Sequence, residues 1–213
     1  MKKIKSLIWD LLNTLGLGGM FQLQLDSALR EVGWFRSYRH KQSVDAQGKP
    51  LPWYTYPFIA FISERLKPDF NVFEYGSGNS TKWYAQRVKA ITAVEHDQGW
   101  FNQITPQLPP NAKALYREQG DTYIQAIQEV GEKFNIVVVD GRNRVKCTLF
   151  AVNYLTPDGV IILDNSDRAH YLPAKEKLKK LGFRRLDFTG MTPIVGITTT
   201  TSVFYKDGNC LEI

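Results

Sequence analysis

Cysteine is close to absent from this chain: 213 residues include two, Cys147 and Cys210, far apart in sequence. They make no metal or redox spacing, and they fit a reduced, cytoplasmic setting. No apolar stretch approaches the roughly 20 residues that a bilayer-spanning helix needs. Long basic runs interleaved with aromatics are also missing, so nucleic acid is not an expected partner although the net charge is +6. The lysines are scattered, as on solvated faces, and neither an internal repeat nor a low-complexity segment is present.

What is present is globular: 43% hydrophobic and 23% charged residues suit one domain with a sizeable core. The stretch that organises it is Val-Phe-Glu-Tyr-Gly-Ser-Gly-Asn-Ser-Thr at residues 72–81. An apolar strand over 70–73 runs into Glu74, then a turn at Gly76 and Gly78, then a helix start at Ser80 and Thr81. Glycine at 76 gives access to positive φ, and glycine at 78 removes a Cβ that would keep a ligand off the main chain. Unpaired amides at the helix start offer a dock for a polar or anionic group. After a helix over 80–89, a strand over 91–94 ends in Glu95-His96-Asp97, with Glu95 17 positions beyond Gly78. A carboxylate there can accept hydrogen bonds from both ribose hydroxyls. Strand, glycine turn, helix, strand and acid together form a nucleoside grip.

Glu74-x-Gly76-x-Gly78, Glu95 and the later strand ends Asp140 and Asp164 resemble class I S-adenosylmethionine-dependent methyltransferases, over roughly residues 53–205. A dinucleotide-binding dehydrogenase would want a third glycine near 81, where this chain has Thr81; that favours the methyl donor over a nicotinamide. The resemblance implies S-adenosyl-L-methionine as cofactor, held by Glu74, Gly76, Ser77, Gly78, Ser80, Thr81, Glu95, His96 and Asp140. It also places Asp121, after the third strand, at the adenine edge, where the rival role is a helix N-cap. Tyr54 and Thr55, just upstream of the first strand, are the expected contacts to the methionine end, with core packing as the rival.

The expected fold is α/β: a Rossmann-like, seven-stranded, mostly parallel sheet with helices on both faces, one antiparallel edge strand and an N-terminal helical cap. Residues 1–52 form the cap and its join, and 53–213 the methyltransferase domain. Within the cap, residues 2–16 place Ile4, Leu7, Ile8, Leu11, Leu12 and Leu15 on one helical face behind Lys2, Lys3 and Lys5. Asp10 and Asn13 interrupt any signal-peptide core, which leaves a lid, a packing helix for this domain or for a second copy in a homodimer, or a helix lying on a membrane surface. A second helix spans 21–32 with Gly33 as its stop, and 37–52 is a polar join. Pro57 opens a helix that ends before Pro68. Further strands are expected over 112–116, 134–139, 160–163, 183–188 and 198–205, with helices over 97–104, 122–130, 144–155 and 175–181 and a turn at Pro157-Asp158-Gly159.

Methyl transfer from a sulfonium is an in-line displacement, so the protein must hold donor and acceptor in register and remove a proton. Asp140, Asp164 and Asn165 are suitable oxygen ligands for Mg2+, a pattern similar to that of catechol and caffeoyl-type O-methyltransferases. Without metal, the base would be Asp140, Asp164 or His170. Arg142, Arg144 and Arg168, together with Asn165, flank the same edge and could bind a carboxylate or phosphate on the acceptor, or merely pair with the acids to hold the loops. The expected reaction is O-methylation of a small molecule or glycan. Its rivals are an aminopropyltransferase, which would carry an acidic pair where this chain has Asp140-Gly141, and a nucleoside-binding scaffold without catalysis.

Overall fold

The computed structural model describes residues 2–213, with the side chains of residues 2–4 outside that description. Short β-branched and aromatic runs make seven strands: β1 (Asn71–Tyr75), β2 (Ala90–Glu95), β3 (Ala112–Tyr116), β4 (Phe134–Val139), β5 (Leu155–Leu163), β6 (Arg184–Met191) and β7 (Thr198–Tyr205). They form one sheet in the order β3-β2-β1-β4-β5-β7-β6. From β3 across to β5 every pairing is parallel, while β7 runs antiparallel to both β5 and β6. The single antiparallel strand is therefore β7, one place in from the edge that β6 occupies.

Ten helices surround the sheet among the described residues: α1 (Lys2–Thr14), α2 (Gly18–Leu25), α3 (Ala28–Glu31), α4 (Trp34–His40), α5 (Tyr56–Ser63), α6 (Asn79–Ala85), α7 (Gln98–Ile104), α8 (Asp121–Glu129), α9 (Arg144–Ala151) and α10 (Leu172–Lys180). Both faces of the sheet are covered, and β4 shows why its sequence is apolar throughout. Ile136 and Val138 join a layer with Phe58, Ile62, Trp83 and Tyr84, and Val137 and Val139 join the opposite layer with Tyr123, Ile127, Cys147 and Leu178.

Three local expectations change. The helix expected over 21–32 is two, because Ser27 takes an extended conformation and its hydroxyl caps the second by accepting from Arg30 N at 3.3 Å. Residues 34–40 are helical where a polar join was expected from 37, entered through Gly33 at φ +83°. Pro157-Asp158-Gly159 is no turn but a bulge inside β5, where the register with β4 jumps from Phe134–Leu155 to Ile136–Val160. Gly159 sits so close to the neighbouring backbone that a Cβ would lie 2.9 Å from Phe134 O.

Residues 34–53 run along the carboxyl edge of the sheet. Trp34 Nε1 donates to Val195 O at 2.9 Å, Asn79 Nδ2 to Ser43 O at 2.8 Å and Trp53 Nε1 to Thr192 Oγ1 at 3.2 Å. Helices α1 and α2 pack on each other and make no substantial contact with any strand.

Candidate functional site

Parallel strands end together, and β1, β2, β4 and β5 with the loops leaving them bring six acids, Glu74, Glu95, Asp97, Asp140, Asp164 and Asp167, and three guanidiniums, Arg142, Arg144 and Arg168, to a single edge. Three cavities open there, of about 470, 320 and 530 Å³, and Asp140 lines all three.

The 470 Å³ cavity brings together many of the residues expected to hold the donor: Glu74, Gly76, Ser77, Ser80, Glu95, His96 and Asp140 line it, with Arg142 and Arg144, while Gly78 lines the 320 Å³ cavity. Glu95 is buried and faces inward. Its carboxylate accepts from Ser77 Oγ at 2.9 Å and from the amides of His96 and Asp97 at 2.8 and 2.9 Å. Gly76 takes φ +106°, and its N–H reaches back to Val94 O at 2.9 Å, which lays the turn across the end of β2. A Cβ at Gly76 would stand 3.3 Å from Gly141 N, so the backbones leaving β1 and β4 touch here. Gly78 is extended, and a Cβ there would meet only Trp100, at 3.8 Å.

Glu74 is buried, and both hydroxyls of the helix start turn to it: Ser80 Oγ and Thr81 Oγ1 donate to its carboxylate, the latter at 2.5 Å. Burial pushes the Glu74 carboxyl up to about 8, against the two hydroxyl hydrogen bonds that favour its charge. Thr81 also accepts from Gly78 N at 3.0 Å and is fully buried, so its hydroxyl belongs to the turn.

Arg144 occupies the middle of the other acids. It donates to Gly141 O at 3.0 Å, Asp164 O at 2.6 Å, Asn165 Oδ1 at 3.2 Å and Asp140 O at 2.6 Å, and pairs with the Asp140 carboxylate at 2.8 Å. Asp164 is buried and accepts from Thr201 Oγ1 at 2.7 Å; burial and the neighbouring Asp140 charge push it up to about 8. Asp140 is raised by burial, with Arg144 pulling the other way. Of the two carboxyls Asp164 is the deeper, its side chain 3% exposed against 25% for Asp140.

Several expected contacts fall elsewhere. Tyr54 and Thr55 are fully buried: Tyr54 stacks edge-on against Phe58, and Thr55 ties its N–H to Thr201 Oγ1 and its hydroxyl to Phe188 O. The aromatic that reaches the cleft is the one before them, Trp53, which lines two of the three cavities. Asp121 is exposed on the first turn of α8, lines none of the three cavities, and leaves the cap position to Gly120. His170 is exposed on a neighbouring cavity of about 350 Å³, with Arg142, Lys146 and Arg168, away from Asp140. Asn165 and Arg168 line the 530 Å³ cavity as expected of acceptor contacts. The proposed metal trio does not suit a divalent ion: Arg144 already sits among Asp140, Asp164 and Asn165, and the Asn165 side-chain oxygen and both carboxylates face that guanidinium. No group of three or more acidic, histidine or cysteine side chains is arranged to hold a metal among the described residues.

The sequence reading missed Trp100 and Ile194. Trp100 Nε1 donates to Ser77 O at 2.8 Å, roofing the glycine turn from the first turn of α7, and an exposed indole five positions past Glu95 was the available signal. Ile194, at φ +75°, is a β-branched residue in a strained conformation on the wall of the 320 Å³ cavity; nothing in its local sequence signals that.

No protein-family model and no curated protein sequence matches this chain. Solved structures do. The precorrin-6y C5,15-methyltransferase of Geobacter metallireducens GS-15 is similar at 14% identity and TM-score 0.56, over 69% of this chain and 86% of that one. The precorrin 8w decarboxylase of Methanobacterium thermoautotrophicum matches at 17% identity and TM-score 0.50, over 70% and 88%. This chain has the class I methyltransferase fold. Spermidine synthase from Thermotoga maritima shares that fold with it, at 12% identity and TM-score 0.51, over 68% of this chain and 55% of that one. At such identities the likeness speaks for the fold and leaves the reaction to the site.

Proposed function

We propose that the chain is an S-adenosylmethionine-dependent methyltransferase acting on a hydroxyl of a small molecule or glycan. One observation carries this: the cavity formed by Gly76, Ser77 and Glu95 shares Asp140 with two further cavities, so a nucleoside ligand and a second molecule can meet at one carboxylate. The residues fit the donor. Gly76 and Gly78 keep side chains off the turn, and Glu95 faces the cavity with acceptor oxygens suited to ribose hydroxyls. S-adenosylmethionine, when bound, supplies an activated methyl group on a cationic sulfur. Acids outnumber arginines at this edge, and Arg144 is held between Asp140 and Asp164, a balance that suits a cation there.

Asp140 is the residue we assign as base. It is the carboxylate all three cavities share, Arg144 fixes its orientation, and a pKa raised by burial brings it toward the operating pH of a general base. Asp164 and Arg144 are its positioning partners. The acceptor belongs in the 530 Å³ cavity, where the Trp53 indole forms one wall and Asn165, Asp167 and Thr199 bring polar groups to others, a combination suited to a hydroxylated ring. Arg168 at its rim, next to Arg142 and Lys146, would meet an anionic substituent.

Aminopropyl transfer is the weaker alternative, because no second acid can follow Asp140: a Cβ at Gly141 would lie 2.0 Å from Tyr123 Oη. Isothermal titration with S-adenosylmethionine and S-adenosylhomocysteine tests the donor, and absence of binding at millimolar concentration ends the proposal. Incubation with methyl-labelled donor and cell extract, read by mass spectrometry, then separates an enzyme from a scaffold, since a scaffold yields no labelled product.

A further inference from the structure

The apolar side of the α1–α2 hairpin faces outward. Leu7, Ile8 and Leu11 share one face of α1 and Leu15 follows just past its end, with Leu7 73% and Leu11 59% exposed, and α2 adds Met20 at 68% and Phe21. The opposite side of α1 carries its half-buried residues, Trp9 and Leu12, and approaches α2 at Asn13, where a Cβ at Gly18 would lie 1.8 Å from Oδ1. A helix that packs on its own domain does the reverse, and an exposed apolar surface of this extent marks a contact with something else.

Charge decides which occupant the face suits. Residues 1–25, which hold the hairpin, carry three basic side chains, Lys2, Lys3 and Lys5, against one acid, Asp10. A second copy would bring the same charge to the same surface, and like charges oppose association. An anionic lipid surface meets that excess with the opposite sign, and Lys2, Lys3 and Lys5 lead directly into the apolar face. No helix among the described residues is long and apolar enough to cross a bilayer, so contact means lying in the interface.

We propose that the α1–α2 hairpin docks on an anionic membrane surface, with Leu7, Ile8, Leu11 and Leu15 seated among the acyl chains and the lysines at the headgroups. The docking concerns this surface alone and stands whether or not the cleft transfers methyl groups.

Flotation of the full chain with phosphatidylcholine vesicles, with and without phosphatidylserine, tests it. Binding to the mixed vesicles is expected to be about tenfold tighter or more, and to weaken as salt rises. Leu7→Glu/Leu11→Glu is expected to lower that binding by about tenfold or more at an unchanged melting temperature, since these side chains support nothing within the fold. Three results overturn the proposal: equal or no partition of the wild-type chain between the two vesicle types, a drop in the variant's melting temperature, or a lipid-free dimer in light scattering that the variant dissolves.

Discussion

At the scale of single residues, Arg144 is the side chain on which the edge depends. It is nearly buried and satisfies two carboxylates, three backbone carbonyls and an amide oxygen from two loops. Arg144→Ala leaves the half-buried Asp140 and the buried Asp164 without their guanidinium, and urea unfolding is expected to show a loss of about 3 kcal/mol. Arg144→Lys keeps the charge but not the planar fork, and a loss of about 1–3 kcal/mol is expected there. The two glycines of the turn separate stability from binding. Gly76→Ala forces a side chain into φ +106° and toward Gly141, so its melting temperature is expected to fall by an amount matching about 1–3 kcal/mol. Gly78→Ala has ordinary backbone and open space beside Trp100, so it should melt with the wild type while titration shows weaker donor binding. Glu74, Glu95, Asp140 and Asp164 were legible because acids that end apolar strands have one edge to go to. The partners of Arg144 were not, since ion pairing across two loops leaves no trace in spacing. Tyr54 and Thr55 were misplaced because the bend at 53–54, which leaves Trp53 exposed and buries the next two residues, is set by what packs beneath it.

At the scale of elements, strands were legible where both faces are buried. β4 and β7 appear over the residues expected, since an unbroken apolar or β-branched run admits few other arrangements in a covered sheet. What failed locally was decided by tertiary contact. The 157–159 bulge contains turn residues, yet β5 continues through it because β4 offers a partner on both sides of the irregularity. Helix α4 lies in a polar stretch, and its place is held by Gly33, where a Cβ would stand 2.3 Å from Ala46 N, and by the Trp34 hydrogen bond to Val195 O. That bond fixes the 192–197 loop, whose residues Thr192, Val195 and Ile197 wall the 530 Å³ cavity. Trp34→Phe keeps an aromatic ring to stack on Tyr38 and removes the donor together with one ring of the indole. Hydrogen exchange at 192–199 is expected to rise while β1 and β4 stay protected; unchanged exchange in the loop would mean that the bond does not hold it.

At the scale of the whole molecule, the clustered acids set a pH dependence. Glu74 and Asp164 are each pushed up to about 8 by burial, well above an ordinary carboxyl near 4. Their protonated forms are the ones the fold favours. Below the unfolded pKa both states carry the proton and the stability is fully present; as pH rises toward 8 the unfolded chain has released it, the folded chain resists, and stability is lost. The ligand-free protein is therefore expected to melt higher at pH 5.5 than at pH 9, by about 5 °C or more for a chain of this size. Above pH 8 the edge is most negative, and a ligand carrying a positive sulfur gains what a neutral analogue does not. Stabilisation by S-adenosylmethionine should then exceed that by S-adenosylhomocysteine, and the difference should widen from pH 6 to pH 9. A difference that stays flat across this range would mean that these carboxyls do not face the donor's cationic centre, and would move the base away from Asp140.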